Sequence, residues 1–452
     1  MPLPDDWPGR IALDLAHVWH PFTQMREHDV APPIPVIRGE GCDLVLWDGR
    51  RVLDGVSSWW TNVHGHAHPR IVDAIARQAA TLDHVLFAGF THEPALEVIA
   101  RLRPRLPAGL TRCFFSDDGS TAVEVALKMT FQAQAQRGRG ERTRIGALEG
   151  AYHGDTLGAV GVGDLENFMT RIFQPLLLAC DRVAVPRDPR RDVDPGAEAL
   201  DLTGARGALG RWFDAHGPHL AAFVAEPLVQ GAGGMLMWPA ELLVELRALC
   251  DEHGVYLILD EVMTGFGRTG RFLACDEAGV MPDVLCLSKG LTGGTLPLAL
   301  TCATEALYEV FLGDVASGRA FLHGHSYTAN PIACAAAAAS LALFDETPAL
   351  ARGQALGEKL RAAWGRVSAH PSVRRARTAG GIAACDLVDR ATAAPRRDPA
   401  RDALAIHRAA LDRGLLVRPI GGCLYLMPPL ATPLDRVDAA VDAIVECLNE
   451  VL

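Results

Sequence analysis

The feature that most constrains the fold is a series of short, wholly apolar segments that alternate with segments of helical spacing. The apolar segments cover residues 112–115, 220–225, 255–259, 284–287 and 298–302, and helical spacing is found at residues 121–136 and 241–252. Strands that read as continuous apolar runs are buried on both faces, which is typical of parallel sheets covered by helices. The sequence therefore predicts an α/β fold built on a large, mostly parallel sheet.

The two ends of the chain differ in texture from this middle part. Near the N-terminus, two apolar runs flank a glycine-containing turn, as in a hairpin. After Asn330, long helical segments precede short strands near residues 382–387, 415–418 and 424–426 and a last helix. We therefore expect a large domain of residues 66–330, and a smaller α+β domain formed by the N-terminal segment of residues 1–65 together with residues 331–452.

Polar side chains follow three of the predicted strands where each strand ends. Asp260 and Lys289 each follow an apolar strand closely, and Gly119, Ser120 and Thr121 follow a third strand at the start of a helix. Ligands of doubly wound sheets bind outside the carboxyl ends of the strands. We therefore expect a carboxylate, an amine and an anion-binding helix start to meet at one edge of the sheet.

These three groups are what a pyridoxal phosphate cofactor requires. Its aldehyde needs a lysine amine, whose pKa is lowered in a desolvated site so that the amine acts as nucleophile and base. Its protonated ring nitrogen needs a fixed carboxylate, and its phosphate suits a helix N-terminus that has a hydroxyl and a glycine. Each feature is weak alone, because a lysine or an acid after a strand is often a surface residue or a cap. Glu226, which also follows a strand, is open to both a capping role and an active-site role.

Several segments of the chain resemble the class III aminotransferases, which have the fold-type I architecture. Residues 257–262, residues 264–270 and Ser288-Lys289-Gly290 carry this resemblance, which extends from His17 to the C-terminus. Within the class, the chain is most similar to the biotin-pathway branch. The more specific segments for that branch are Ser57-Ser58-Trp59-Trp60 and Tyr425-Leu426-Met427-Pro428-Pro429.

The resemblance implies roles for the residues of a cofactor site. Lys289 would bind pyridoxal 5'-phosphate as a Schiff base and shuttle protons, Asp260 would pair with the ring nitrogen, and Tyr152 would stack on the ring. The phosphate would be held by Gly119, Ser120 and Thr121 and, in a homodimer with shared active sites, by Ser326 of the partner subunit.

The same resemblance implies a set of substrate-binding residues. Trp59 and Trp60 would form the wall of an apolar groove, and Arg418 would bind the far carboxylate of a long aliphatic keto acid, which is chemically reasonable for such a substrate. The remaining residues expected at the substrate are Phe22, Arg268, Gly324 and Tyr425, with Arg268 pointing into the site.

The reaction implied is amino transfer to 8-amino-7-oxononanoate with S-adenosylmethionine as donor. Lysine as the donor stays open, because Phe22 stands where many adenosylmethionine-using members have tyrosine. Another ω-aminotransferase with a 2-oxo acid acceptor is a second alternative, which Arg418 and Tyr425 disfavour. A nicotinamide-dependent oxidoreductase is a third, because residues 265–270 fit the pattern G-x-G-x-x-G. That fingerprint should open a helix, and little helical sequence follows it here.

The composition limits the partners and the compartment. A net charge of −11 disfavours binding to nucleic acid. Eleven cysteines without a C-x-x-C pair predict reduced thiols rather than disulfides or a zinc finger. With no signal sequence and no apolar stretch near the ~20 residues of a membrane span, we expect a cytoplasmic protein. His64, His66 and His68 alternate as metal ligands can, but Gly65 and Pro69 favour a turn without metal.

Overall fold

The computed structural model describes residues 3–164, 172–185 and 202–452. The strands in chain order are β1 (Val36–Glu40), β2 (Asp43–Leu46), β3 (Arg51–Asp54), β4 (Leu110–Ser116), β5 (Arg144–Leu148), β6 (Cys180–Val183), β7 (Leu220–Ala225), β8 (Val229–Gln230), β9 (Leu236–Met237), β10 (Tyr256–Asp260), β11 (Val284–Leu287), β12 (Ala299–Thr304), β13 (Val373–Ala379), β14 (Ile382–Leu387), β15 (Leu415–Leu416) and β16 (Cys423–Leu426).

The α-helices surround these strands and connect them. They cover Trp7–His17, Pro69–Thr81, Glu93–Leu102, Gly119–Gln136, Leu157–Val162, Leu202–His216, Ala240–His253, Glu305–Tyr308, Pro331–Glu346, Ala349–Ser368, Pro399–Asp412 and Leu434–Val451. Ser57–Trp60 forms a single turn with positive φ angles. Within the described ranges, no single helix is long and apolar enough to cross a membrane. The helices Pro331–Glu346 and Ala349–Ser368 meet that test of length and composition only as a pair, bent by 75°.

The centre of the structure is a seven-stranded sheet in the order β4-β12-β11-β10-β7-β5-β6. Strand β12 is antiparallel to both of its neighbours, and the other neighbouring pairs are parallel. Every residue of β7, β10, β11 and β12 is buried, which explains why these strands are mainly apolar rather than alternating. The predicted α/β fold with a large, mostly parallel sheet is confirmed.

Both ends of the chain contribute to one smaller sheet. It has the order β1-β2-β3-β15, in which Leu415 and Leu416 pair in parallel with Leu53 and Asp54. A second small sheet, β13-β14-β16, comes entirely from the C-terminal part. The N-terminal hairpin is present as the antiparallel pair of β1 and β2. The N- and C-terminal segments therefore share one small sheet.

Several strands differ from the expectation. Strands β3, β5, β6, β8, β9 and β13 are absent from it. Strand β6 lies at the sheet edge with a half-polar sequence, the five-residue β5 begins with an arginine, and β8 and β9 have two residues each. Strand β15 ends at Leu416 rather than at Arg418, because its partner β3 ends at Asp54, opposite Leu416. Arg418 therefore lies beyond the strand.

Candidate active site

Lys289 lines a cavity of about 450 Å³ at the carboxyl edge of the large sheet. It begins a short 3-10 turn after β11, and its φ of 45° lies in the left-handed region, which non-glycine residues adopt mainly where the surroundings impose it. Burial lowers the pKa of Lys289 to about 8, against the opposing effect of the nearby carboxylates of Asp260 and Glu226. An amine with this pKa is partly neutral at physiological pH and can act as nucleophile and base.

Asp260, the last residue of β10, presents a buried carboxylate to the same cavity. Its Oδ2 atom lies 2.8 Å from Nδ1 of His153, and its Oδ1 atom accepts a hydrogen bond from the N–H of Val262 at 3.0 Å. A carboxylate is an acceptor, so Nδ1 is the ring atom that carries the proton. Two donors therefore fix the orientation of the Asp260 carboxylate.

The start of the helix Gly119–Gln136 forms a third wall of the cavity. A Cβ atom added to Gly119 would lie 2.5 Å from Cγ1 of Val262, so a side chain does not fit at this position. The Ser120 hydroxyl lies 2.7 Å from the Thr156 hydroxyl and accepts a hydrogen bond from the N–H of Thr156 at 3.0 Å. Free N–H groups of a helix start together with two hydroxyls form a site suited to phosphate.

The polar groups of Thr121 are engaged elsewhere. Its N–H donates to Oδ1 of Asp118 at 2.9 Å, and its hydroxyl donates to the carbonyl of Asp118 at 2.8 Å, which caps the helix. Gly154 and Thr156 line the cavity, whereas Thr121 does not. These two residues were not assigned to the phosphate from the sequence, although they belong to the segment Tyr152-His153-Gly154-Asp155-Thr156, which can be recognised in it.

Tyr152 and Glu226 lie together on another wall of the cavity. The N–H groups of Tyr152 and Gly231 donate to the two carboxylate oxygens of Glu226 at 3.0 Å and 2.9 Å. Burial raises the pKa of Glu226 to about 7 and also raises the pKa of the Tyr152 phenol. Glu226 follows β7 as Asp260 ends β10, so the strand-end pattern that led to Asp260 also points to it.

The side chains of the cavity fit pyridoxal phosphate. An amine, a fixed carboxylate, a helix start with hydroxyls and an aromatic ring line a volume within the range of roughly 300–1,000 Å³ that is usual for small-molecule sites. The buried Nε2 atom of His153 has no hydrogen-bond partner among the described residues, which leaves a polar atom beside Asp260 for a bound group or water.

Trp60 and Tyr425 form the wall that faces Lys289. The indole N–H of Trp60 donates to the Tyr425 hydroxyl at 3.0 Å, and the Lys289 amine lies 4.6 Å from the centroid of the Trp60 ring. Both aromatic side chains are buried. The two segments regarded as most specific in the sequence, residues 57–60 and 425–429, are therefore joined by one hydrogen bond beside the lysine.

Trp59, Phe22 and Arg418 form a second group of predicted substrate residues. The Trp59 ring lies 5.4 Å from the Phe22 ring and 5.2 Å from the Arg418 guanidinium. Phe22 and Arg418 line a neighbouring cavity of about 610 Å³. Arg418 donates to the Phe22 carbonyl at 3.4 Å and forms no ion pair within the part of the chain that the structure describes, so an alternative ion pair with Asp155 is not formed.

Arg268 is 1% exposed and is not among the residues that line the cavity. Its guanidinium donates to the carbonyl oxygens of Asn62 at 2.6 Å and Pro428 at 3.0 Å, and to the Ser57 hydroxyl at 3.1 Å. Burial lowers the pKa of Arg268 to about 10. These contacts connect the backbone segments that carry Trp60 and Tyr425, and the predicted contact of Arg268 with substrate stays a prediction.

Gly324 and Ser326 lie on an exposed loop away from Lys289. In the same loop, Nδ1 of His323 is 2.9 Å from the Lys128 amine, and His325 is 3.5 Å from Asp117. Neither Gly324 nor Ser326 lines the Lys289 cavity of its own subunit. Their assignment to an active site depends on a second subunit.

The other sequence patterns have structural explanations. Residues 265–270 form a run of turns and do not open a helix, unlike a dinucleotide-binding fingerprint. His64 Nε2 lies 3.2 Å from the Ser340 hydroxyl, and burial lowers the pKa of His64 to about 3. His66 contacts Asp54. Across residues 3–164, 172–185 and 202–452, no group of three side chains suited to a metal ion is present.

Comparison with known proteins identifies close relatives. The family model "Aminotransferase class-III" matches residues 23–448. The chain is 47% identical over 437 residues to the adenosylmethionine-8-amino-7-oxononanoate aminotransferase of Synechococcus elongatus, which covers 96% of this chain and 99% of that protein. It is 41% identical over 447 residues to the protein of the same name from Geobacter sulfurreducens, with 97% of each covered.

Solved structures lead to the same family. The adenosylmethionine-8-amino-7-oxononanoate aminotransferase of Methanocaldococcus jannaschii superimposes with a TM-score of 0.91 at 32% identity, covering 99% of this chain and 100% of that one. An omega transaminase from Pseudomonas jessenii in complex with PMP superimposes with a TM-score of 0.88 at 26% identity, with 97% of each chain covered.

Proposed function

The chain belongs to the class III aminotransferases, which depend on pyridoxal phosphate, and from this premise we propose that it converts 8-amino-7-oxononanoate to 7,8-diaminononanoate in biotin biosynthesis. S-adenosylmethionine is the proposed amino donor. The observation that carries this proposal is the hydrogen-bonded pair of Trp60 and Tyr425 beside Lys289. It is supported by relatives that bear the corresponding name at 41–47% identity over nearly the whole chain.

Lys289 and Asp260 carry the proton chemistry in this proposal. Bound pyridoxal phosphate supplies a ring that withdraws electrons from the amino-bearing carbon of the substrate. Lys289, with its pKa lowered to about 8, binds the cofactor and then removes and returns the proton at that carbon. Asp260, oriented by His153 and Val262, holds a proton on the ring nitrogen.

The remaining residues of the cavity bind and orient the cofactor. Gly119 and Ser120 hold the phosphate. Thr156 also binds it, because its hydroxyl lies 2.7 Å from that of Ser120. Tyr152 packs on the ring, and Glu226 fixes the backbone that carries Tyr152. Trp60, which is buried and faces the amine, excludes water from it, and Tyr425 holds the Trp60 ring through a hydrogen bond.

The second group of residues binds the far end of the keto acid. Arg418 lies against the Trp59 ring and has no carboxylate partner among the described residues. A guanidinium in this position suits a paired contact with a substrate carboxylate. Trp59 and Phe22, whose rings are in contact, line the path of the aliphatic chain.

We further propose a homodimer in which Ser326 of the partner subunit binds the phosphate, with Gly324 of that loop near the substrate. The exposed position of this loop in one subunit supports the proposal. Sedimentation should give a dimer, and an active, cofactor-loaded monomer at assay concentration would contradict it.

The domain division and the location are also proposals. Residues 66–330 would form the large domain, and residues 1–65 with 331–452 the small one, which the sheet shared by β3 and β15 supports. Eleven free cysteines, nine of them buried, suit the reducing cytoplasm.

A donor assay tests the proposed reaction. The purified holoenzyme is incubated with 8-amino-7-oxononanoate and either S-adenosylmethionine or lysine, and 7,8-diaminononanoate is measured by mass spectrometry. Product with S-adenosylmethionine supports the proposal, and product with lysine alone changes the donor. Turnover of pyruvate or 2-oxoglutarate as acceptor without any 7,8-diaminononanoate would identify another ω-aminotransferase.

A further inference from the structure

The segment Ser57–Trp60 is a left-handed helical turn. The φ angles of its residues are 51° for Ser57, 46° for Ser58, 69° for Trp59 and 73° for Trp60. The N–H of Trp60 donates to the Val56 carbonyl at 2.8 Å, and that of Thr61 donates to the Ser57 carbonyl at 2.9 Å. A left-handed residue with a side chain costs roughly 1–2 kcal/mol, so four in succession persist only where other contacts hold them.

Two of the contacts that hold the turn come from the C-terminal segment of residues 425–427. The Ser57 hydroxyl donates to the Met427 carbonyl at 2.7 Å, and the Trp60 indole N–H donates to the Tyr425 hydroxyl at 3.0 Å. A third contact comes from behind the turn, where the Ser58 hydroxyl donates to Oδ2 of Asp54 at 2.7 Å. Asp54 thus binds the side chain at the centre of the turn.

Asp54 is fully buried and accepts three hydrogen bonds. Besides Ser58, its donors are Nε2 of His66 at 2.9 Å and the N–H of Val56 at 3.3 Å. Burial raises the pKa of Asp54, but the hydrogen bonds from His66 and Ser58 outweigh this effect and hold the pKa below its usual value. A buried carboxylate with three donors is a rigid anchor for each of them.

Asn62, which lies two residues after the turn, fixes the orientation of His66. The N–H of Gly65 donates to Oδ1 of Asn62 at 2.8 Å, so the amide nitrogen of Asn62 faces Nδ1 of His66, at 3.1 Å. An amide nitrogen is a donor, so Nδ1 accepts and the ring proton lies on Nε2, where it is donated to Asp54. Asp54 and Asn62, which precede and follow the turn in the sequence, are therefore connected through the ring of His66.

The position of the turn determines the position of the Trp60 ring. That ring faces the Lys289 amine at 4.6 Å from its centroid, whereas Asp54 does not line the cavity. We propose that Asp54 is a positioning residue that acts through Ser58 and His66 to hold the left-handed turn, and with it the Trp60 ring, in place against Lys289.

Loss of Asp54 should have a different effect from loss of a buried carboxylate that only stabilises the fold. Loss of a structural carboxylate lowers stability and leaves the chemistry of the folded enzyme unchanged. Loss of Asp54 should also misplace Trp60, and a displacement of about 1 Å at a reacting group can cost on the order of 100-fold in rate. Both half-reactions should be affected, since Lys289 moves the proton in each of them.

The test compares Asp54→Asn with the control Asp283→Asn in the holoenzyme. Asp283 also holds a backbone N–H, that of Leu257 at 2.8 Å, and an arginine, but lies at the far end of β10. For Asp54→Asn we expect normal cofactor absorbance per subunit, and a kcat for 8-amino-7-oxononanoate about 10- to 100-fold lower with little change in KM. Asp283→Asn should lose thermal stability and keep its kcat. A kcat for Asp54→Asn that equals the wild-type value overturns the proposal.

A double-mutant cycle with Ser58→Ala tests the route of the effect. If Asp54 acts through Ser58, the two changes are not additive, and the double variant has nearly the kcat of Asp54→Asn alone. Fully additive effects would contradict this route. If Asp54→Asn does not fold, Ser58→Ala alone decides: a lower kcat with normal cofactor absorbance supports the proposal, and an unchanged kcat overturns it.

The inference rests on the proposed function only in its choice of acceptor. A wild-type enzyme without turnover of 8-amino-7-oxononanoate refutes that function. The positioning role is then tested by the single-turnover reaction with the amine donor, followed at the cofactor absorbance, which requires no keto acid. A slower single turnover in Asp54→Asn supports the role, and an equal rate overturns it.

Discussion

Nδ1 of His153 and Oδ2 of Asp260 lie 2.8 Å apart, and both side chains are buried. The histidine comes from the loop after β5 and the aspartate is the last residue of β10, so this contact joins two strand ends that β7 separates in the sheet. Together with the N–H of Val262 on Oδ1, it holds the Asp260 carboxylate in one orientation. The first prediction follows from this contact.

His153→Leu should weaken cofactor binding. A hydrogen bond to a charged group contributes roughly 1.5–3 kcal/mol, so we expect the affinity for pyridoxal phosphate to fall by about 10- to 100-fold, as measured by absorbance titration of the cofactor-free protein. His92→Leu is the control, because His92 is also buried and is bonded to the Ala329 carbonyl at 2.7 Å. It should lose stability only. Equal affinity in the wild type and His153→Leu would disprove the role.

Uptake of the cofactor by the cofactor-free protein should depend on pH with a midpoint near 8. Burial lowers the pKa of Lys289 from 10.5 to about 8, so the amine is protonated below this pH and neutral above it. The rate should therefore rise through pH 8, as measured by stopped-flow absorbance. Because the unfolded chain binds this proton up to about pH 10.5, stability should also rise with pH between the two values. A midpoint at or above pH 10 would show an ordinary, solvated lysine.

Lys289→Ala should abolish transamination while the protein still folds. Alanine cannot bind the aldehyde covalently or shuttle a proton. Circular dichroism should match the wild type, and turnover should be undetectable. Lys359→Ala is the control, because Lys359 pairs with Asp438 and lies outside the cavity. Turnover close to wild type in Lys289→Ala would remove the central assignment.

Arg418→Ala should affect the keto acid and not the cofactor. Arg418 is exposed in the free subunit, and in this proposal the bound keto acid covers it. Loss of one partner of a hydrogen-bonded charge pair costs about 2–5 kcal/mol when buried, so we expect kcat/KM for 8-amino-7-oxononanoate to fall roughly 30-fold or more. The yellow colour and the half-reaction with the amine donor should be retained. Arg408→Ala is the matched control, because Arg408 lines the same 610 Å³ cavity and donates to the Val30 carbonyl. A donor half-reaction that falls as far as the acceptor half-reaction would exclude a carboxylate-binding role.

Gly119→Ala should reduce cofactor affinity through crowding. The added methyl group would lie 2.5 Å from Val262, whereas a Cβ at Gly140 meets no atom within 4 Å. Overpacking costs about 1–3 kcal/mol, so Gly119→Ala should lower the free energy of unfolding by that amount and shift the helix start that holds the phosphate. Denaturation and cofactor titration check both effects. Gly140→Ala should change neither, and two indistinguishable variants would refute the steric argument.

The sequence was most informative where backbone geometry follows from burial. Strands β7 and β11 match the predicted residues 220–225 and 284–287, because strands buried on both faces must be apolar throughout. Asp260 and Lys289 could be located for the same reason, since each stands at the end of such a strand. Strand β6 could not, because an edge strand does not require an apolar pattern.

The backbone conformation of residues 57–60 could not be predicted. Serine and tryptophan have no preference for positive φ, so residues 57–60 give no sign of a left-handed turn. The direction of Arg268 was also hidden, because its acceptors are backbone carbonyls, including those of Asn62 and Pro428. The position of Ser326 relative to an active site depends on the second subunit, so it cannot be predicted from the local sequence.

The pairing of β15 with β3 has a consequence for synthesis of the chain on the ribosome. Leu416, near the C-terminus, pairs with Asp54, near the N-terminus, in one small sheet. The segment that begins at Asp54 also includes the left-handed turn, which is held by Tyr425 and Met427. A nascent chain folds its large sheet from residues that have already emerged. The turn of residues 57–60, however, can form only after nearly the whole polypeptide has left the exit tunnel. A message truncated near its 3′ end would therefore yield a large sheet that carries Lys289 and Asp260 but lacks the contacts that hold Trp60.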